Sequence, residues 1–225
     1  MPLLYTIGRL TVGSALTYGW HPHVEGLEHV PRSGGVIFAG NHLSVADELF
    51  IGATVPRHLA FWAKSDYFEG TGINGWFSRN LMHGLGAIPV ERKGGRAALE
   101  AFDGAVPVLK GGDAVVIYPE GTRSPDGKLY RGRTGVARLA VAAGVPIVPV
   151  GTLGTDKVQP IGRMYPKFSR GTVTIKFGKP IETVGHPEDR TSLRTLTDHV
   201  MSEIQKLTGQ EYVPTYAPAK PPKDV

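Results

Sequence analysis

The chain has 225 residues, no cysteine and a net charge of +5. That length supports one sizeable domain with a core, and without a thiol it makes no disulfide, thiolate zinc site or cysteine nucleophile. The positive balance points toward anionic partners (nucleic acid, anionic lipid or phosphorylated metabolites) and does not choose among them.

In chain order, Leu3, Leu4, Ile7 and Leu10 fall at helical spacing, and Arg9 interrupts the apolar run. The stretch from Leu10 to Val24 is shorter than the ~20 residues that cross a bilayer. Residues 1–23 therefore read as an amphipathic segment with two readings. It lies on a membrane surface, anchored by Arg9 and Trp20, or it packs on the domain's own core. From residue 24 to 210 short apolar runs alternate with helical patterns. Strands are predicted at residues 36–39, 58–63, 87–90, 114–118, 146–150 and 173–177. Helices are predicted at 44–54, 73–84, 134–143 and 191–207. Gly144 and Gly209 are placed to end the last two. Leu99, Phe102, Val106 and Leu109 mark one more helix, which Pro107 should kink or end. Residues 211–225 hold four prolines and read as an extended, poorly ordered tail. The fold class is α/β: a single domain with a mixed, largely parallel central sheet flanked by helices, plus the N-terminal segment.

Several apolar runs end in a polar cluster. Residues 36–39 lead to Asn41 and His42, 58–63 to Lys64, 87–90 to Glu91, Arg92 and Lys93. Residues 114–118 lead to Pro119, Glu120, Gly121, Thr122, Arg123 and Ser124, and 146–150 to Gly151 and Thr152. Ligands bind beyond the carboxyl ends of strands in open α/β sheets, so parallel strands bring these clusters to one crevice. Asp47 either caps the helix that starts at Ser44 or reaches back to one ring nitrogen of His42. In the second case it fixes the tautomer and stabilises the imidazolium that forms when the other nitrogen takes a proton. Arg92 and Arg123 suit bidentate phosphate recognition, and Lys64 adds a point charge. Glu120 either orients one of these arginines or binds an acceptor hydroxyl, or is a loop ion pair of little weight.

Other chemistries fit poorly. His21 and His23 flank Pro22 without a third metal ligand, and no metal is expected. No P-loop or Rossmann glycine fingerprint follows a strand, so no nucleotide cofactor is expected. Ser44 lacks the elbow of a hydrolase nucleophile.

With these residues placed, the chain resembles the PlsC-like glycerolipid acyltransferases, the 1-acylglycerol-3-phosphate acyltransferases. Their N-H-x₄-D motif matches Asn41 to Asp47, and their apolar strand ending in arginine matches Gly86 to Arg92. Their [F/Y]-P-E-G-T-R-S motif matches Tyr118 to Ser124, and V-P-I-V-P-V matches Val145 to Val150. Tyr130 to Gly135 is similar to the aromatic–basic–glycine stretch that follows the third motif. The second block departs from the family's Phe-Ile-Asp-Arg, and Pro107 sits where the family has an unbroken helix. The resemblance implies that His42 is the general base on an acceptor hydroxyl, with Asp47 orienting it. It implies that Arg92, Arg123 and Lys64 hold the acceptor phosphate, and that Glu120, Gly121 and Thr122 shape the acceptor site. Trp76, Phe77, Leu81 and Met82 are candidates for the acyl groove or are simply core. The implied reaction uses an acyl thioester of CoA or acyl carrier protein as co-substrate and a lysophospholipid acceptor, with no cofactor and no nucleic acid. The implied location is the cell membrane, peripheral or monotopic, on the cytoplasmic face. Other phospho-acceptors, a non-catalytic basic membrane module and a hydrolase are the competing readings.

Overall fold

The computed structural model describes residues 3–69, 71–90, 97–163 and 165–218. The chain opens with Leu3–Gly8 (α1), a π-helical turn Arg9–Gly13, and Ser14–Trp20 (α2). His23–Glu25 (β1) and a 3₁₀ turn lead to Val36–Gly40 (β2) and Ala46–Thr54 (α3). Leu59–Ala60 (β3), Trp62–Lys64 (β4), Asp66–Glu69 (α4), Gly72–Leu85 (α5) and Ile88–Val90 (β5) follow. Then come Ala97–Lys110 (α6), Ala114–Ile117 (β6), Leu129–Tyr130 (β7) and Gly135–Ala143 (α7). Ile147–Leu153 (β8), Thr155–Val158 (α8), Thr174–Phe177 (β9), Arg190–Thr208 (α9) and Tyr212–Val213 (β10) complete it.

Six strands form the central sheet in the order β1-β9-β8-β2-β6-β3. β8, β2, β6 and β3 are parallel neighbours, β1 is parallel to β9, and β8 and β9 run antiparallel. The mixed, largely parallel sheet expected from the sequence is the one found. β2 is buried at all five positions, as an apolar run covered on both faces must be. Ile37 and Ala39 face a layer that includes Leu109 of α6, Leu139 of α7 and Val200 of α9. Val36 and Phe38 face Phe50 and Ile51 of α3, with Leu16 of α2 beyond. The carboxyl ends of β2 and β6 therefore open side by side between two packed layers.

The structure departs from the predicted elements in four places. Residues 58–63 split between two sheets: β3 joins the central sheet, while β4 pairs with β5 in a separate ribbon. The Trp62 indole N–H donates to the Val116 carbonyl at 2.9 Å, taking a β6 acceptor beyond the last β3 pair. α6 continues through Pro107 to Lys110. The proline removes one helical bond near the C-terminus, and buried Ala105 and Leu109 hold that last turn on the core. Gly151 and Thr152 lie inside β8 rather than beyond it. Tyr212–Val213, at the start of the proline-rich tail, pairs in parallel with β7, a strand within the predicted 119–133 loop.

The N-terminal segment packs on α3 and α5. Leu16 is buried, while Leu3, Ile7, Leu10 and Tyr18 stay exposed. Among the described residues no helix is long and apolar enough to cross a membrane. At the other end, Asp189 caps α9: its carboxylate accepts the N–H groups of Thr191 and Ser192 at 2.9 and 3.0 Å. Asp189→Ala is expected to lower the denaturation midpoint, because the first turn of α9 then loses its acceptor.

Candidate active site

β2 delivers Asn41 and His42 to the rim of the sheet. Asn41 is fully buried and ties this rim to β8: its amide N–H donates to the Thr152 carbonyl at 2.9 Å, and its oxygen accepts the Thr152 N–H at 2.7 Å. That exchange fixes the point from which His42 departs.

His42 Nδ1 lies 2.8 Å from Asp47 Oδ2. The same oxygen accepts the N–H groups of Leu43 and Ser44 at 2.8 and 2.9 Å. One carboxylate oxygen thus grips the imidazole and the two N–H groups of the turn that leads into α3, whose first residue is Ala46 rather than Ser44 and whose N-cap, Val45, carries no side-chain cap. An ionised carboxylate only accepts, so Nδ1 carries the proton and Nε2 is left as the basic nitrogen. Asp47 is 0% exposed, whereas the His42 side chain keeps 17% of its surface open. The other Asp47 oxygen, Oδ1, is buried with no hydrogen-bond partner among the described residues.

Tyr118 supplies the next wall. Its ring stacks on the His42 ring with centroids 3.8 Å apart and planes 12° from parallel. Its hydroxyl is buried without a hydrogen-bond partner among the described residues, and burial holds the phenol well above its ordinary pKa. A neutral π face is thus laid against the imidazole, where it favours the ring's cationic form. Cation–π attraction of this kind is worth ~0.5–2 kcal/mol. Tyr118→Leu is expected to lower kcat by roughly two- to thirtyfold with KM little changed. Tyr118→Phe, which keeps the face, should stay near the parent in a steady-state assay.

The turn after Tyr118 holds the histidine by its backbone. Glu120 Oε1 accepts the His42 N–H at 3.1 Å, and the His42 carbonyl accepts the Ser124 N–H at 2.7 Å. Glu120 Oε2 accepts the Tyr130 N–H at 2.9 Å. Glu120 is 1% exposed, and burial pushes its carboxyl up to about 7 against two backbone bonds that pull it down. Of the readings open to Glu120 (orienting an arginine, binding an acceptor hydroxyl, or a loop ion pair), none describes its contacts here: its two oxygens accept backbone N–H groups of His42 and Tyr130. Gly121 turns the chain with φ +76°, and an added Cβ would sit 3.2 Å from Nε of Arg133. Thr122 and Arg123 are half-buried at the rim, and Arg123 pairs with no carboxylate among the described residues.

The remaining expected residues are less central or fall elsewhere. Lys64 closes β4 in register with Val90 of β5, and Arg92, two residues past Val90, lies outside the described residues. Trp76 and Phe77 project from α5 at 59% and 62% exposure, and Leu81 and Met82 are half-buried. None of these four lines the apolar cleft that the structure contains. That cleft, about 330 Å³, runs between the N-terminal segment, α3 and the sheet, past Tyr5, Val12, Leu49, Leu59, Phe61 and Val116. Glu48, next to Asp47, borders it. His21 and His23 find Arg170 and Glu25 as neighbours, at 2.6 and 3.2 Å. Among the described residues no cluster of three His, Cys, Asp or Glu could hold a metal.

The motifs announce no role for Asn41, for the ring of Tyr118 or for the Ser124 N–H. Each acts through strand pairing, stacking or a backbone group, which a single sequence does not display. The signal that could have found Tyr118 was its place immediately before the Pro-Glu-Gly-Thr-Arg turn.

The acyltransferase family model matches residues 21–152. The chain is 31% identical over 160 residues to a chloroplastic 1-acyl-sn-glycerol-3-phosphate acyltransferase of Arabidopsis thaliana, covering 71% of this chain and 43% of that protein. It is 25% identical over 188 residues to the 1-acyl-sn-glycerol-3-phosphate acyltransferase of Bacillus subtilis, covering 81% and 86%. It thus spans less than half the length of the chloroplastic relative. The crystal structure of the 1-acyl-sn-glycerophosphate acyltransferase PlsC from Thermotoga maritima superposes with a TM-score of 0.66 at 30% identity, covering 90% of this chain and 79% of that one. The two share a fold.

Proposed function

We propose that this chain, which belongs to the acyltransferase family, moves a fatty acyl group from a thioester of CoA or acyl carrier protein to the free hydroxyl of 1-acyl-glycerol-3-phosphate, yielding phosphatidic acid. The observation that carries the reading is the His42–Asp47 pair at 2.8 Å, beside the turn that presents Arg123. His42 Nε2 takes the acceptor's hydroxyl proton as the oxygen attacks the thioester carbonyl. The tetrahedral intermediate then expels the thiolate, which recovers that proton from Nε2. Asp47 keeps the proton on Nδ1 throughout and balances the imidazolium. No cofactor takes part; the thioester is a co-substrate. Arg123 binds the acceptor phosphate, joined by Arg92, which closes the family's second motif, and by Lys64 at the end of β4.

The acyl chain takes the apolar cleft past Leu49, Leu59 and Val116, whose lining suits an alkyl chain and whose border is one residue from Asp47. The exposed apolar side chains of Leu3, Ile7, Leu10 and Tyr18, with Trp76 and Phe77, support a peripheral contact with the membrane. The enzyme then works peripherally on the cytoplasmic face, where soluble acyl thioesters meet lysolipid in the bilayer.

The deciding experiment supplies purified protein with acyl-CoA and a mixed acceptor pool, and identifies the product by mass spectrometry. Phosphatidic acid is expected. Absence of CoA release with every acceptor would sink the reading; CoA release without any acceptor would make the protein a hydrolase.

A further inference from the structure

We infer that Arg131, Arg133 and Tyr216 form a seat for the nucleotide of a CoA thioester, a site separate from the acceptor's phosphate anchor; this rests on the acyltransferase reading above. The chain builds the seat by pairing β7 with β10. The Arg131 N–H continues that pairing to the Thr215 carbonyl at 3.0 Å, which brings Tyr216 beneath two guanidinium groups. Arg133 lies 4.9 Å and Arg131 5.6 Å from the Tyr216 ring centroid.

Two cations on one ring repel each other, and the ring's quadrupole offsets that only in part. Neither arginine has a carboxylate partner among the described residues. Nearby cations do: Lys128 pairs with Glu211 at 2.8 Å, and Arg194 makes a bidentate pair with Asp198. The charge left over at Arg131 and Arg133 calls for an anion from outside.

Shape and position narrow the choice. A cavity of about 340 Å³ opens beside Arg131, walled by Asp198, Met201, Ser202, Gln205, Tyr212 and Pro214, large enough for part of a nucleotide; the Asp198 carboxylate on its wall is already paired with Arg194. Guanidinium forks match phosphate oxygens, and their planes with an exposed tyrosine offer stacking surface for a purine. An acidic carrier-protein helix would use the charges but not the ring or the cavity. The seat also adjoins the chemistry: the Arg133 N–H donates to the Pro119 carbonyl at 2.7 Å, and its side chain lies against Gly121, next to the Glu120 that holds His42. A reaction between two phosphorylated substrates needs two anion anchors, and Arg123 supplies only one of them.

The test is the double variant Arg131→Gln, Arg133→Gln in the full chain. Its KM for acyl-CoA is expected to rise at least about tenfold while the KM for lysophosphatidate stays within about twofold. The parent's advantage with acyl-CoA over acyl-pantetheine, which lacks the nucleotide, should disappear. A rise confined to the acceptor KM, or one seen only with acyl carrier protein, overturns the proposal. Calorimetry with 3′,5′-ADP reads the seat without turnover: the parent binds it, and the variant binds at least tenfold more weakly at an unchanged melting temperature. If 3′,5′-ADP does not bind the parent, the seat is disproved whatever the activity. If it binds and no acceptor is acylated, the seat stands and the acyltransferase reading falls.

Discussion

His42→Ala lowers kcat by about a hundred- to ten-thousandfold, the range that a positioned general base supplies, and leaves KM for both substrates within a few-fold. The geometry makes Asp47→Asn the sharper companion. All three contacts of the Asp47 carboxylate, to His42 Nδ1 and to the N–H groups of Leu43 and Ser44, converge on Oδ2. An asparagine oxygen in that place keeps every one of them, so neither the imidazole tautomer nor the turn before α3 has to change. What is lost is the negative charge facing the imidazolium. The amide NH₂ falls where Oδ1 was, a buried position with no partner among the described residues, at a cost of ~1–3 kcal/mol in stability. Asp47→Asn is therefore expected to fall in kcat about as far as His42→Ala, with the fold retained and KM little moved. Asp47→Ala should combine that loss with a larger drop in melting temperature, because the Leu43 and Ser44 N–H groups in the turn before α3 lose their acceptor. If Asp47→Asn kept parental kcat, the negative charge would be dispensable and Asp47 would act only by orienting His42 and holding the turn before α3.

Periodicity and punctuation made much of this fold legible. β2, β6 and β8 are continuous apolar runs, and α7 and α9 end at glycines in left-handed conformation, so their places followed from local chemistry. Where prediction slipped, a contact between distant residues decided. Trp62 and Val116, 54 positions apart, divide a run that reads as one strand. β7 and β10 are too short to announce themselves and exist because each pairs with the other. Pro107 carries a strong local signal against helix, yet burial of Ala105 and Leu109 outweighs it. The candidate site divides in the same way. His42, Asp47, Gly121 and Arg123 are named by short motifs. The apolar cleft is not, because its walls come from separate segments of the chain, and Trp76 and Phe77 offered a helix-borne aromatic pair instead. Glu120 shows a motif residue whose position was legible but whose partners were not: a carboxylate in a charged loop looks like a ligand contact until its two backbone donors are seen.

Glu120→Gln tests that placement through pH. Burial raises the folded-state carboxyl from its ordinary 4.5 to about 7. Between these values the folded chain binds more protons than the unfolded one, so stability falls as pH rises. The stabilisation is complete below pH about 4.5, is progressively lost up to about 7, and amounts to about 3 kcal/mol in all. Between pH 5.5 and 8 the parent should lose about 2 kcal/mol more than Glu120→Gln, which has nothing to titrate there. Taking the difference between the two proteins removes the other titrating groups. The substitution carries its own defect: a glutamine has one oxygen for two donors, so either the His42 N–H or the Tyr130 N–H meets the NH₂ group, costing ~1–3 kcal/mol at every pH. Displacing the His42 backbone should also lower kcat, since Nε2 then no longer meets the acceptor hydroxyl in line. Denaturant titrations of both proteins at pH 5.5 and pH 8 measure the effect. Equal pH slopes would mean that Glu120 is ionised throughout and reaches the solvent, in keeping with the acceptor-facing role that its burial argues against.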